Sequence, residues 1–285
     1  MEITVLGSGG NTPIPMPTCD CKICQEAREK GVPYSRGGNS VFVHDENIMI
    51  DAPEKAWEAL NRENIEKVDY IFISHFHFDH WLGLRILQPL GIEEKPIDSW
   101  FGDLPTLVMN QATYDKIIAQ NKSFQHLVEN WSEKVKILND GEEMKIGDIK
   151  VTSIGAEIYP GEGKEIFSYL LEKEGKKVLI SPDENKFLEL DRVPDLELWI
   201  RETGLFKKDP NGNLILTEEA YEEDTELEIT FEETVEQIKE VNPEKVVLTE
   251  IEELFQRSYD DYKELEDEYK DLSLEFAFDG MKLNV

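Results

Sequence analysis

The chain has 285 residues, a formal net charge of −31, 32% charged residues and 40% hydrophobic residues. That length and apolar content suffice for one large folded unit with a substantial core. The acidic balance argues against long nucleic acids as partners, because phosphates are neutralised by gathered Lys and Arg, and abundant Glu with Lys suits a thermophile surface laced with ion pairs.

The opening stretch "MEITVLGSGGNTPIPMP" has no basic start followed by a long apolar block, and nowhere do about 18 apolar residues run together. The expectation is a soluble, cytoplasmic chain with no membrane partner. A first strand covers residues 3–6 and runs into the turn "GSGG", Gly7 to Gly10. A lone glycine turn after a strand is a weak phosphate signal.

Three cysteines follow in "CDCKIC": Cys19, Cys21 and Cys24. An odd number in one short loop makes a poor disulfide framework, while the spacing C-x-C-x-x-C lets three thiolates converge on one ion. Reduced thiols that bind nothing are the plain alternative. Arg36, in "SRGGNS", is placed to meet a substrate anion if its loop folds over a site, although an isolated Arg is usually surface.

Further strands are expected at residues 41–43, 48–50, 70–73, 107–109, 149–154, 167–171, 178–180, 196–200, 246–248 and 274–278, each a short β-branched or aromatic run bounded by turn formers. Helical patterns lie between them. Phe231, Val235, Ile238 and Val241 share a face, Thr230 and Glu233 make a capping box, and Pro243 ends the helix. "DAPEKAWEALN" and "SYDDYKELEDEY" read the same way. No long linker and no repeat interrupts the series, so residues 1–285 are expected to form a single domain of mixed sheets covered by helices, an α/β or α+β layered sandwich.

The strongest chemical signal is "ISHFHFDHWLG". Only five histidines occur, and His75, His77 and His80 fall within six residues beside Asp79. The preceding "VDYIFIS" reads as a buried strand, so the cluster sits on the loop leaving its carboxyl end, where open sheets place ligands. Alternate side chains turned inward would let His75 and His77 meet one cation and Asp79 and His80 an adjacent one; imidazole and carboxylate suit Zn, Fe or Mn. The bland reading, polar capping of a strand end, is much the weaker. His44 and His126 read as ordinary polar positions.

"HFHFDH" resembles the signature of the metallo-β-lactamase fold hydrolases, and "MEITVLGSGG", "IMIDAP", "VLISPD" and "AFDGMKLNV" align with that family in order. The resemblance covers nearly the whole chain. It implies a four-layer αββα sandwich with metals at one edge between two sheets. Within the superfamily the chain looks like the cyclic-phosphate phosphodiesterases of phosphonate breakdown and the pyrroloquinoline-quinone biosynthesis B-type proteins, both of which carry a C-x-C-x-x-C loop.

Members of the family usually supply seven metal ligands. Four are matched here by His75, His77, Asp79 and His80, and the bridging Asp by Asp183 in "ISPDE". The middle histidine is missing, with Glu157 nearest to its place, and the last histidine, after "VVLT", is replaced by Glu250. Two divalent cations beside Asp79 and Asp183 leave about +2, and adding Glu157 and Glu250 brings this to about zero, which favours hard cations such as Mn or Fe(II) over Zn. In the phosphodiesterases a further His completes the Cys site; Glu253 stands at that position and would join Cys19, Cys21 and Cys24 around a structural Zn.

The resemblance therefore implies a metal-dependent hydrolase of a small phosphodiester or related ester. It would carry two divalent ions (Mn, Zn or Fe) and one structural Zn, use a metal-bound hydroxide as nucleophile, and have Asp79 and His80 in catalytic positions. The alternative is a non-hydrolytic metal-binding accessory protein like the quinone-biosynthesis relative. RNA processing, known in other branches, conflicts with the acidic balance. Substrate and oligomeric state, homodimer included, stay open at this level.

Overall fold

Alternate residues of a strand face opposite ways, so a strand that is apolar throughout must be covered on both faces. β-strands of this chain such as 41–43 and 246–248 are of that kind, which dictates stacked sheets with helices outside them. The computed structural model describes residues 1–92 and 103–285. Among the described residues, the strands form two seven-stranded sheets.

The first sheet is built from β1 (Glu2–Gly7), β2 (Ser40–Val43), β3 (Ile48–Ile50), β4 (Tyr70–Phe72), β5 (Thr106–Met109) and β6 (Lys134–Ile137). The second contains β7 (Glu143–Ile146), β8 (Ile149–Glu157), β9 (Lys164–Lys173), β10 (Lys176–Ser181), β11 (Leu198–Glu202), β12 (Val246–Thr249) and β13 (Leu274–Phe276), after which β14 (Met281–Asn284) returns to the first. The spatial orders are β14-β1-β2-β3-β4-β5-β6 and β13-β12-β11-β10-β9-β8-β7. Pairing is antiparallel at one end of each sheet and parallel at the other: β3 with β4, β4 with β5, β10 with β11, and β11 with β12 are all parallel.

The inner faces meet in one apolar layer, where Val41, Ile50 and Phe72 pack with Tyr169, Ile180, Ile200 and Val247. Tyr169 spans it, its ring edge-on to Phe72 at 4.8 Å and its hydroxyl donating to the Ile73 carbonyl at 2.8 Å. On the outer face of the second sheet lie α1 (Lys22–Lys30), α7 (Phe231–Val241) and α8 (Tyr259–Glu268), burying Ile23, Phe231, Val235, Ile238 and Tyr262 against Trp199 and Leu248. The first sheet is covered by α2 (Ala56–Arg62), α3 (Leu87–Leu90), α4 (Gln111–Gln120) and α5 (Lys122–Trp131), with Leu60, Leu87, Ile117 and Phe124 against Met49, Ile71 and Leu107. A short α6 (Glu218–Asp224) lies in the long connection before α7. The layering is the αββα sandwich expected from the sequence.

Local sequence explains the element ends. Thr230 Oγ1 accepts from Glu233 N–H at 3.1 Å and Glu233 Oε2 from Thr230 N–H at 2.8 Å, the reciprocal box that starts α7. Asn242, left-handed at φ 50°, closes it before Pro243. The last expected strand is shorter than its apolar run, ending at Phe276, because Ala277 N–H turns to bond the Leu248 carbonyl. β6 and β7 alternate charged and apolar residues at the sheet margins and carry no continuous apolar signal.

Candidate metal centre and its cleft

Parallel strands deliver their carboxyl ends to one edge, and at that edge the site assembles. Asp51 follows β3, His75 to His80 follow β4, Asp183 and Glu184 follow β10, Glu202 ends β11, and Glu250 follows β12. Three of these acids turn sharply: Asp51, Glu184 and Glu250 have φ of 58°, 54° and 53°. Such left-handed geometry is strained for a residue with a side chain and concentrates at functional sites. It points each carboxylate off its strand axis. Gly10 sits tightly against this corner, since a Cβ there would run into the Glu250 and Glu252 carboxylates.

The histidine tautomers follow from their partners. Asp51 can only accept, so the His80 Nδ1–H donates to Asp51 Oδ2 at 2.8 Å. Ser74 Oγ donates to the same oxygen at 2.7 Å and Ser74 N–H to Oδ1 at 2.8 Å. With its proton so used, Ser74 Oγ accepts from His75 Nδ1 at 2.9 Å. Both imidazoles thus present a bare Nε2 into the cleft. Asp51 and Ser74, fully buried, perform this orientation and were not anticipated as site residues; their only signal was "IMIDAP" ahead of the first helix and the serine next to His75.

Those Nε2 atoms have no hydrogen-bond partner, nor does Glu250 Oε1, although all three are buried. Buried polar atoms rarely remain single. Asp183 stands between them: its Oδ2 is 3.6 Å from His75 Nε2 and 3.4 Å from His80 Nε2, while Asp79 Oδ2 is 3.4 Å and Glu250 Oε1 3.9 Å from His80 Nε2. Two groups result whose ligand atoms lie within 4.8 Å of one another, His75, His77 with Asp183, and Asp79, His80 with Glu250. The donor chemistry fits divalent cations in adjacent seats.

Electrostatics point the same way. Burial, with His80 and His77 beside it, pushes His75 well below its ordinary value. Burial also opposes charge on His80, yet Asp51 and Asp79 outweigh it and raise that ring well above its ordinary value, the pull on positive charge that a cation at Nε2 would answer in place of a proton. Burial and then Asp183 raise Glu250 well above the carboxylate range. Crowded like charges of this kind are what a bound cation relieves.

Two expected site residues lie elsewhere. Glu157, at the end of β8, accepts from Gly161 N–H at 2.9 Å in the turn that follows and joins neither group. Its strand ends in a hairpin whose geometry uses the carboxylate locally. Arg36 is 2% exposed and bonds Ser8 Oγ at 3.0 Å and the Ala277 carbonyl, tying the first turn to the chain before β14 instead of facing the cleft. The "GSGG" turn has no free phosphate cradle either: Ser8 N–H and Oγ both donate to Asp279 Oδ1, at 2.9 and 3.0 Å, and Gly9 N–H to the Gly37 carbonyl. His44 bonds Thr4, and His126 lies on α5 with Asn130, both away from the centre.

The cysteine loop closes on Glu253 Oε1, with the Cys21, Cys19 and Cys24 sulfurs at 2.8, 3.5 and 3.7 Å. These four form a compact group, and Gln256 Nε2 donates to the same oxygen at 2.9 Å. Burial first of all raises the Cys21 thiol and pushes Cys24 to about 12.

The cleft beside the histidines is a cavity of about 590 Å³. Phe76, Phe78, Leu205, Leu254 and Phe255 form its apolar walls, and Glu184, Glu202, Asp224, Glu228 and Glu252 join the site acids. Glu184 Oε1 is 3.5 Å from His77 Nδ1. Burial and then Asp183 raise Glu184 to about 10, Glu202 to about 8 and Glu228 to about 7.

A model of the beta-lactamase superfamily domain matches residues 46–251, more than half of the chain and the whole of the segment that carries the histidine cluster and Glu250. The chain belongs to the beta-lactamase superfamily. Among solved structures it is similar to a diphosphatase of the PhnP family (20% identity, TM-score 0.71, 99% of this chain and 96% of that one). It is similar also to Zn(2+)-bound PqqB from Methylobacterium extorquens (15%, 0.73, 100% of both). At these identities the likeness is one of fold. Ribonuclease Z of Thermococcus kodakarensis is 33% identical over 102 residues, 34% of this chain and 27% of that enzyme; the matched part is thus about a quarter of that relative's length. Superfamily membership makes metal-dependent hydrolysis the general setting for the two ligand groups. No helix among the described residues is long and apolar enough to cross a membrane.

Proposed function

We propose that this superfamily member hydrolyses a small phosphodiester or related ester at a two-cation centre. The observation carrying the reading is the convergence of three buried, partnerless donor atoms, His75 Nε2, His80 Nε2 and Glu250 Oε1, around Asp183 Oδ2. His75, His77 and Asp183 would hold one cation, Asp79, His80 and Glu250 the other, with Asp183 shared. Divalent ions so held supply Lewis acidity and bring the pKa of a water toward neutrality.

The residues of the chain do the rest. Asp51 and Ser74 fix both imidazoles with their Nε2 lone pairs inward. Asp79, whose carboxyl stays below its usual value because His80 outweighs its burial, remains an acceptor that can orient the attacking water. The apolar walls exclude bulk water from the reacting ester. With Glu250 where a histidine is usual, oxygen donors favour Mn or Fe(II) in the second seat.

We place a structural Zn in the group of Cys19, Cys21, Cys24 and Glu253, where it would pin the N-terminal loop to the segment after β12 and do no chemistry. Free thiols there suit a reducing, cytoplasmic setting. The test of the whole reading is elemental analysis of protein purified without chelator together with bis(p-nitrophenyl) phosphate turnover. About two ions beyond the Cys-site Zn, and turnover raised by Mn, are expected. About one Zn per chain and no turnover with Mn, Fe(II) or Zn would favour the non-hydrolytic accessory role.

A further inference from the structure

Asn39, just before β2, and Ser40, its first residue, touch both halves of the candidate centre. Ser40 Oγ donates to the Asp51 carbonyl at 2.8 Å, and Asp51 is the acid that orients His80 and, through Ser74, His75. Asn39 reaches the other way, across the layer into the second sheet. Its Nδ2 donates to the Pro182 carbonyl at 3.0 Å and to Thr249 Oγ1 at 3.2 Å, and Thr249 Oγ1 donates in turn to the Arg201 carbonyl at 3.2 Å. Pro182 directly precedes Asp183, and Thr249 directly precedes Glu250. One amide thus spans the ends of β10 and β12, with β11 between them, at the last residue before each carboxylate turns into the site.

The amide is costly where it stands. Asn39 and Thr249 are 3% and 0% exposed, and Asn39 Oδ1 has no hydrogen-bond partner. A buried polar atom left single is rare and destabilising, so stability alone does not account for an asparagine here; what the residue does is done by Nδ2. The orientation of the amide is fixed chemically, because the Pro182 carbonyl can only accept and must face the nitrogen. Other bonds join the sheets nearby. Phe167 N–H and the Tyr169 hydroxyl bond the Ser74 and Ile73 carbonyls at 3.1 and 2.8 Å, but both come from β9, which supplies no member of either ligand group. Ile251 N–H bonds the Ser8 carbonyl at 3.0 Å, so Glu250 is held on both sides. Of these links, the one from Asn39 reaches β10, the strand of Asp183.

We propose that Asn39 is a positioning residue that registers the carboxylate half of the centre, Asp183 above all, against the histidine half. This rests on the two-cation reading of the site and names the side chain that sets its gap. The distances at stake are those of Asp183 Oδ2 from His75 Nε2, 3.6 Å, and from His80 Nε2, 3.4 Å; a functional constellation works when its members are held within about 0.5 Å. Without the Nδ2 bonds, Pro182 and Thr249 are free to shift with their strand ends, and Asp183 ceases to serve both seats at once. Ser40 still holds the Asp51 side, so the fault is one of register between the two halves.

The experiment titrates the full chain with Mn(II), following affinity by calorimetry and ion–ion coupling by electron paramagnetic resonance. The parent should take up two ions and show the multiline signal of a coupled pair. Asn39→Ala should bind about 10–100-fold more weakly and, at equal loading, show the six-line signal of separate ions. Thr249→Val keeps the shape of a β-branched residue and removes one of the two acceptors; it should fall between the two and decides the matter if Asn39→Ala folds poorly. A residue of purely structural importance would lower Tm while the folded fraction kept its affinity and coupled signal, and that result overturns the proposal. So does an undiminished effect of Asn39→Ala in an Asp183→Asn background, where nothing is left for Asn39 to position. A parent without a coupled pair overturns the two-cation reading and this proposal with it. A coupled pair in the parent with bis(p-nitrophenyl) phosphate inert sinks the hydrolase reading alone and leaves Asn39 its role.

Discussion

Asp51 Oδ2 receives the His80 Nδ1 proton at 2.8 Å and the Ser74 hydroxyl at 2.7 Å, so a single buried oxygen sets the orientation of the two imidazoles of His80 and, through Ser74, His75. Replacing Asp51 by Asn would offer an amide where a carboxylate anchors an imidazole N–H. Such outer-shell changes cost about 10–100-fold in metal affinity or activity. Asp51→Asn should show that loss in competition titrations with a chelating dye, with a far-ultraviolet dichroism spectrum like that of the parent.

In the proposed two-cation centre, Glu250 is the point at which metal choice is decided. Glu250→His exchanges a hard oxygen for imidazole nitrogen, and the second seat should move from Mn or Fe(II) toward Zn by about tenfold or more in relative affinity. Mass spectrometry of metals retained from an equimolar Mn and Zn mixture reads the ratio. An unchanged ratio would mean that Glu250 does not touch the ion.

Cys24→Ser or Glu253→Ala opens the thiol group and should remove one Zn per chain. Zinc at a thousandfold excess over its Kd contributes about 4 kcal/mol, which at about 2–4 °C per kcal/mol corresponds to a Tm lower by about 10 °C. Calorimetry with parallel elemental analysis checks both numbers. Turnover per remaining active-site ion should be little altered, since a closed site offers no open position.

Glu202 makes a pH prediction. Its folded-state value is raised to about 8 from 4.5, by burial and then Asp183. A raised acid keeps its proton in the folded chain while the unfolded chain loses it. Stability from this group is therefore full below about pH 4.5, falls as pH rises, and levels off above about 8. Glu184, Glu228 and Glu250, raised as well, add declines of the same sign; urea unfolding of chelator-treated protein at intervals from pH 4.5 to 8.5 should show the sum, and Glu202→Gln should make its slope shallower by the share of one group.

Arg36→Ala should destabilise the fold by about 3–5 kcal/mol, because it removes a buried cation that bonds Ser8 and the Ala277 carbonyl and leaves Asp279 with less counter-charge. The KM of the folded fraction should not change. A raised KM would return Arg36 to the substrate.

How far the sequence reveals this molecule depends on what kind of fact is asked for. The candidate ligands His75, His77, Asp79 and His80 share one loop, so spacing alone exposes them, and Glu250 is legible because the run 246–249 ends there. Layering was legible too, from strands apolar on both faces. Glu184, Glu202 and Glu228 were not, because nothing local brings together the ends of β10 and β11 and the loop before α7; only the parallel pairing of the strands does. Glu157 illustrates the reverse error. Nearness in sequence to a missing ligand suggested it, whereas the tight turn to Gly161 spends its carboxylate on a backbone N–H. β6, β7 and β14 escaped notice because edge strands with one wet face lack an unbroken apolar run.

The left-handed corners at Asp51, Glu184 and Glu250 have a consequence for how such a protein changes over generations. Each acid is held where glycine would sit at lower energy by about 1 kcal/mol or more. Mutation to glycine at Glu184 or Glu250 relieves the backbone and deletes a carboxylate in one step, whereas at Asp51 it would strand the buried donors of Ser74 and His80. Random drift at those two corners would then run downhill in folding energy toward a well-folded descendant with fewer acids in its cleft, and only selection for what those carboxylates do there holds them in place.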